Sequence, residues 1–411
     1  GTKPFRLSAQ TIQQKISVWK CFGQTTTRTK FTTTEKLMEN CSPILEAALK
    51  RAQKNLGHSF IHDEEMSAHV LSVVNCPSNR AGVRLLMSCM LAKLHRPEVD
   101  PRKPYTKISS KDCFSGRSYD EEVIGDFITK HNLPCNSTTA FLTPTLRNMD
   151  QTLTTKVVLV GRPTAMYQDA LRVLDHVHRD DVSAQDVLDE SIRLLLLERD
   201  ARKARLKTLL SGIGRVARTL PLSSEDTFNL IEQHLRCKGS SRLPVLIVAA
   251  AYESAKARLG ERVLNLTAHN AADEQTGAVG DIQITLLSED KVVTSYEMKN
   301  KTVLNSDIDR ALQKIAGQGK HVQNYIFITT EAVTDEVREY GRSKYDETGG
   351  IEIAILDCVG FIRHFLHLFH RLRKDFLDQY QVLVLREADS AVSSALKEAF
   401  LALRQAAESA D

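Results

Sequence analysis

The chain has 411 residues, too many for one ordinary core, so two or more domains are expected. Its formal charge of +4 is only mildly basic and neither requires nor excludes a nucleic-acid partner, and no apolar run reaches the roughly 18 residues of a membrane-spanning helix, so no membrane span is expected. Eight cysteines without a C-x-x-C spacing argue against a zinc site and fit free thiols in a reducing cytosol, the compartment expected here; residues 1–30 show no apolar signal-peptide core.

The N-terminal half reads as helices. A short amphipathic stretch over 11–22 sets Ile12, Ile16 and Trp19 on one face, and a threonine-rich polar run follows over 25–34. Ser42-Pro43 then suits a helix start, with serine as cap and proline in the first turn, giving a helix over 44–56. Two more are expected over 64–74 and 79–95. Arg80, Arg84, Lys93, His95 and Arg96 make that region basic, most simply as solvated helix faces. Prolines and Phe114-Ser115-Gly116-Arg117-Ser118 mark a loop over 97–118, with Ser118 capping a helix over 119–130. The stretch over 138–148 is rich in hydroxyls and amides, with Phe141 and Arg147. Such groups suit phosphates and base edges, and equally suit a loop that caps its own backbone. A short strand is expected over 156–160, then helices over 164–178, 184–210 and 224–236. In the long one Val187, Leu188, Ile192, Leu195 and Leu196 recur at helical spacing. Its basic second half (Arg199, Arg202, Lys203, Arg205, Lys207) is either a solvated face or a rail for DNA.

Lys238-Gly239-Ser240-Ser241 reads as a linker, and the pattern beyond it changes to mixed α/β. A boundary is therefore expected near 215–241, dividing a mostly helical region (1–240) from an α/β domain (241–411) with a central mixed β-sheet flanked by helices. In that domain a helix is expected over 244–259 and a strand over 262–266. After the hairpin described next come a helix over 306–317, a strand over 323–329, a helix over 331–344, a strand over 351–357 and helices over 360–380 and 389–409. His364, His367 and His370 recur every three residues. A metal stripe is one reading; a core-covering face is the commoner one, since Phe361, Leu368 and Phe369 are interleaved.

Two apolar-alternating runs, Gly280-Asp281-Ile282-Gln283-Ile284 and Tyr296-Glu297-Met298-Lys299, flank the turn-like Ser288-Glu289-Asp290. Folding the runs about Glu289 places Asp281 opposite Glu297, to within about one residue because the turn type is open. Glu297 and Lys299 share a face by strand alternation. Two carboxylates and an ammonium then meet on one patch. Close carboxylates repel unless a cation or proton lies between them, and hard oxygen ligands favour Mg2+, or Mn2+ in its place, over zinc. With a lysine alongside, these are the parts for phosphodiester hydrolysis. Taken bare, the pattern is commoner as a surface hairpin with a cross-strand Glu–Lys pair.

The order helix, strand, Asp…Glu-x-Lys hairpin, helix, strand resembles the core of the PD-(D/E)xK nuclease superfamily. The resemblance implies that Asp281, Glu297 and the Met298 carbonyl hold magnesium, that Lys299 supports the attacking water, and that Glu253 on the preceding helix adds a further acid. Gly280 stands where the motif often has proline. A second resemblance lies upstream. Phe114-Ser115-Gly116-Arg117-Ser118-Tyr119-Asp120-Glu121, His131-Asn132-Leu133-Pro134-Cys135-Asn136 and Thr139-Ala140-Phe141-Leu142-Thr143-Pro144 are similar to the SacI-type family of restriction endonucleases. That family implies magnesium-dependent, sequence-specific cleavage of double-stranded DNA as a type II enzyme, with a cognate DNA methyltransferase, and makes Arg117, Arg147 and Asn148 candidates for DNA contact. Cutting both strands of a palindrome needs two active sites, hence an expected homodimer. The alternatives are a repair, junction-resolving or modification-dependent nuclease of the same superfamily, or a non-catalytic DNA-binding protein.

Overall fold

The computed structural model describes residues 25–136, 139–147, 149–213, 221–264, 266, 278–289, 291–317 and 322–409. The stretch expected to be helical over 11–22 and most of the loop over 268–279 lie outside the described residues. The chain forms two compact units that part between Arg202 and Lys203. That division falls N-terminal to the boundary expected near 215–241. No helix among the described residues is long and apolar enough to cross a membrane.

The first unit is helical: α1 (Thr25–Lys54), α2 (Glu64–Val74), α3 (Ala81–His95), α4 (Thr164–His178) and the first part of α5 (Ala184–Gly212). Helix α1 does not start at Pro43 but runs through it. Cys41, Leu45, Ala48, Leu49 and Ala52 are all buried, so the apolar stripe continues unbroken past the proline, which sits on the solvent side where its missing N–H is tolerated. The helix expected from residue 119 begins earlier, at Gly116. Ser115 rather than Ser118 caps it, accepting from the Ser118 N–H at 3.2 Å, and a wide π-type turn over Asp120–Ile124 leads into Gly125–Lys130.

Helix α3 is buried from Ala81 to Ala92, which corrects the reading of its arginines as solvated. Arg84, 2% exposed, donates to Asp120 at 2.7 Å and to the Asn136 carbonyl at 2.6 Å. The other Asp120 oxygen accepts from the Thr139 hydroxyl and from the Ala140 N–H at 2.7 Å. Arg80 pairs with Glu198 at 2.6 Å. The segment over 114–144 is thus fastened to α3 by a buried ion pair, and removing one partner of such a pair typically costs about 3–5 kcal/mol. The strand expected over 156–160 does not form; among the described residues that stretch has no strand partner. Three of the basic groups of α5 are in ion pairs, Arg199 with Asp200, Arg202 with Glu198 and Arg205 with Glu398.

The second unit mixes helix and sheet. Helices α6 (Ser224–Leu235) and α7 (Leu243–Leu259) precede β1 (Glu261–Val263), β2 (Ile282–Leu286) and β3 (Val292–Lys299). Then come α8 (Asn305–Gly317), β4 (Asn324–Thr329), α9 (Asp335–Glu347), β5 (Glu352–Asp357), α10 (Cys358–Leu368), α11 (Arg373–Arg386) and α12 (Ser394–Ser409). The single helix expected over 360–380 breaks after Leu368 with neither glycine nor proline. Phe365 packs against both Phe369 and Phe376 across the bend, so the core turns the chain where no local breaker stands. Helix α12 starts later than residue 389, where the Ser393 hydroxyl accepts from the Leu396 N–H.

The five strands lie in sequence order: β1, β2 and β3 antiparallel, β4 and β5 parallel to β3. Parallel neighbours require crossover helices, here α8 and α9, and both lie on one face. There Ile308, Ala311, Ile315 and Val337 pack with Tyr325, Phe327, Ile353 and Ile355. The alternate positions Ile282, Ile284, Tyr296, Ile326 and Ile328 point to the other face, against α7, α10 and α11.

Candidate active site

The antiparallel pairing of β2 with β3 sets Ile282 opposite Tyr296 and Gln283 opposite Ser295. Continued one residue outward, it brings Asp281 beside Glu297. An Asp281 carboxylate oxygen accepts from the Met298 N–H at 2.7 Å, which fixes the acid against β3. The glycine before it is required by close approach. A Cβ on Gly280 would lie 2.5 Å from the Ser295 Oγ and 2.5 Å from the Tyr296 carbonyl oxygen, so no side chain fits there.

Glu297 and Lys299 stand on the α8–α9 side of the sheet. Lys299 Nζ is 2.5 Å from Glu297 Oε1 and 3.5 Å from Asp307 Oδ1. The buried hydroxyl of Tyr325 donates to Glu297 Oε2 and also lies 3.1 Å from the Val279 carbonyl oxygen, so one side chain ties Glu297 to the backbone leading into Asp281. Asp307, 2% exposed in the first turn of α8, accepts from the Leu304 N–H at 3.0 Å and pairs with Arg310. Burial alone would lower the Lys299 pKa, but the hydrogen bond and charge of Glu297, helped by Asp307, outweigh it and hold the ammonium above its ordinary value. Burial pushes the Asp307 carboxyl up; the Leu304 N–H and the cations Lys299, Lys301 and Arg310 more than reverse this, so its pKa is lowered. Lys299 is therefore a charged donor at neutral pH. In that state it can donate and neutralise negative charge but cannot take a proton.

The structure brings Asp281, Glu297, Met298 and Lys299 together. It does not bring in Glu253, which pairs with Lys256 at 3.7 Å on α7, the helix covering the opposite face of the sheet. Arg117 and Arg147 belong to the first unit, where Arg117 is exposed and paired with Glu121 at 2.9 Å. Asn148 lies outside the described residues. His367 pairs with Glu225 at 2.6 Å, and among the described residues no group of three or more His, Cys, Asp or Glu side chains is placed to share a metal ion. A cation at this patch would have the Asp281–Glu297 pair as its protein carboxylates. Such a donor set fits magnesium, which commonly takes one or two carboxylates and completes its shell with water and phosphate oxygens. Tyr325 and Lys299 occupy two of the roughly four lone-pair sites of Glu297, so acceptor capacity remains.

Asp307 and Tyr325 escape the sequence reading. Asp307 looks like any acid favouring a helix start, and Tyr325 like any aromatic in a buried strand. Only the parallel register of β4 on β3, which sets Tyr325 opposite Ser295 and Phe327 opposite Glu297, gives them their place.

Residues 222–331, from α6 through β4 and including Asp281, Glu297 and Lys299, match the family model described as the SacI restriction endonuclease C-terminal domain. The class this defines is a restriction endonuclease, a nuclease whose substrate is DNA. That match, over residues 222–331, supports a likeness to the SacI-type restriction endonuclease family in this part of the chain. No curated protein matches the chain.

Proposed function

We propose that the protein is a type II restriction endonuclease with a PD-(D/E)xK core, which hydrolyses phosphodiester bonds at a specific sequence of double-stranded DNA with Mg2+, Mn2+ serving in its place. The observation that carries this reading is the Asp281, Glu297 and Lys299 cluster on β2 and β3 inside the matched domain. Asp281 and Glu297, with the Met298 carbonyl, would hold the ion, which when bound supplies Lewis acidity toward water and phosphate. Lys299 donates to the attacking water and to a phosphate oxygen, offsetting charge that builds in the transition state. The Met298 N–H aims Asp281, and Tyr325 aims Glu297, before substrate arrives. Arg117, Arg147 and Asn148 are proposed DNA contacts of the N-terminal region, 1–240, and 241–411 is the proposed nuclease domain. Two copies would match the two-fold symmetry of a palindromic site, and a cognate methyltransferase would protect host DNA.

Plasmid cleavage in Mg2+ is the test. The wild type gives discrete bands, and Asp281→Ala gives none. Equal rates for both proteins would remove the assigned site, while a smear of random lengths would remove the sequence-specific part.

A further inference from the structure

The stretch over 156–162 has no place in the cluster described above. It has the composition of a strand but no strand partner among the described residues. Leu159 is buried and Val157 packs partly against the first unit's core, whereas Val158 and Val160 are 79% and 87% exposed. These two valines sit two apart in a non-helical stretch. The stretch is pinned at several points. The Thr145 hydroxyl donates to the Val160 carbonyl at 3.1 Å, and the Asn79 amide donates to the Arg162 carbonyl at 3.0 Å. Gly161 lies so close to the Tyr167 ring that a Cβ would come within 2.2 Å of it. Lys156, Arg162 and Arg147 are all exposed, and none of the three forms an ion pair among the described residues. Asp150, which precedes this stretch in the sequence, is exposed as well.

We propose that this ridge is a contact surface for duplex DNA. Val158 and Val160 would meet apolar groups in a groove, such as thymine methyls, and Lys156, Arg162 and Arg147 would reach the flanking phosphates. Charge selects DNA over a second copy of the chain. Across a two-fold axis this surface would bring its own cations together, while phosphates neutralise them. The inference rests on DNA as the substrate of the family and not on the metal chemistry, so its test leaves cleavage out.

Binding of a labelled random-sequence duplex is measured in metal-free buffer across a salt series. Lys156→Ala and Arg162→Ala should each lower the slope of log K against log salt by about 1. Val158→Ser with Val160→Ser should raise Kd about 10-fold, with Tm unchanged because both sites are exposed. A photoreactive benzophenone amino acid in place of Val158 should crosslink to the duplex. Unchanged slopes and Kd, or crosslinks to another protein chain alone, overturn the proposal. A wild type that binds in this way but never cuts contradicts the catalytic reading and leaves the ridge standing.

Discussion

Gly280→Ala is the smallest change that tests how the cluster is built. The added methyl would stand 2.5 Å from the Tyr296 carbonyl oxygen, against about 3.4 Å for ordinary contact, so β2 must back away from β3 by roughly 0.9 Å at that point. Asp281 is the next residue, and its 2.7 Å bond to the Met298 N–H would lengthen toward ~3.6 Å, which is no longer a hydrogen bond. Overpacking of this kind costs about 1–3 kcal/mol of stability. A misplacement near 1 Å at a reacting centre slows an enzyme by about 100-fold. The assay is single-turnover plasmid cleavage beside urea unfolding. Adding Ser295→Ala removes one clash and leaves the backbone one, so it should not restore the rate. A Gly280→Ala protein that cuts within two-fold of the wild type at unchanged stability would refute the close-approach argument.

Further outcomes follow from the cluster and from the helical core of the same unit. Asp307→Asn keeps the Leu304 hydrogen bond but removes the charge facing Lys299, and should lower kcat about 10–100-fold with little change in KM. Arg310→Ala, which removes only an outer partner of Asp307, should leave kcat near normal; equal losses in both variants would mean a purely structural role. Tyr325→Phe leaves Glu297 Oε2 without its donor and should weaken Mg2+ binding about 10-fold by calorimetry, and full affinity would contradict the tether. His234 is buried between the Tyr380 hydroxyl and the Leu396 carbonyl, and burial, opposed only by the bond to Leu396, lowers its pKa from 6.5 to about 4. The unfolded chain then binds the extra proton first. This contribution to stability is full above pH 6.5 and falls away as pH drops toward 4, by about 3 kcal/mol in total. Urea unfolding between pH 7 and 4.5 should show the fall, and His234→Gln should flatten it.

The sheet unit was largely legible because its elements carry their own periodicity. The β2–β3 pairing could be placed from alternation and one turn, and most long helices from 3.6-residue stripes. What failed was decided by contacts distant in sequence. Pro43 reads as a start signal, yet Cys41 and Leu45 belong to one buried stripe. Lys156 to Val160 reads as a strand, but a strand needs a partner, and no local pattern supplies or denies one. Arg80 and Arg84 read as solvated because their partners, half-buried Glu198 and buried Asp120, lie far along the chain. In the candidate site the acids and the lysine were visible as a spacing. Asp307 and Tyr325 were not, since each acquires meaning only when α8 and β4 are laid against β3. The break after Leu368 has no local signal at all.

Lys299, held charged between Glu297 and Asp307, is proposed to serve the cutting step and not the grip on DNA. Single-turnover cleavage by Lys299→Ala in Mg2+, paired with duplex binding in Ca2+, measures both. A rate about 100- to 1,000-fold below the wild type with Kd within two-fold is the expected result. Cleavage at the wild-type rate, or loss of binding in step with loss of cleavage, would contradict it.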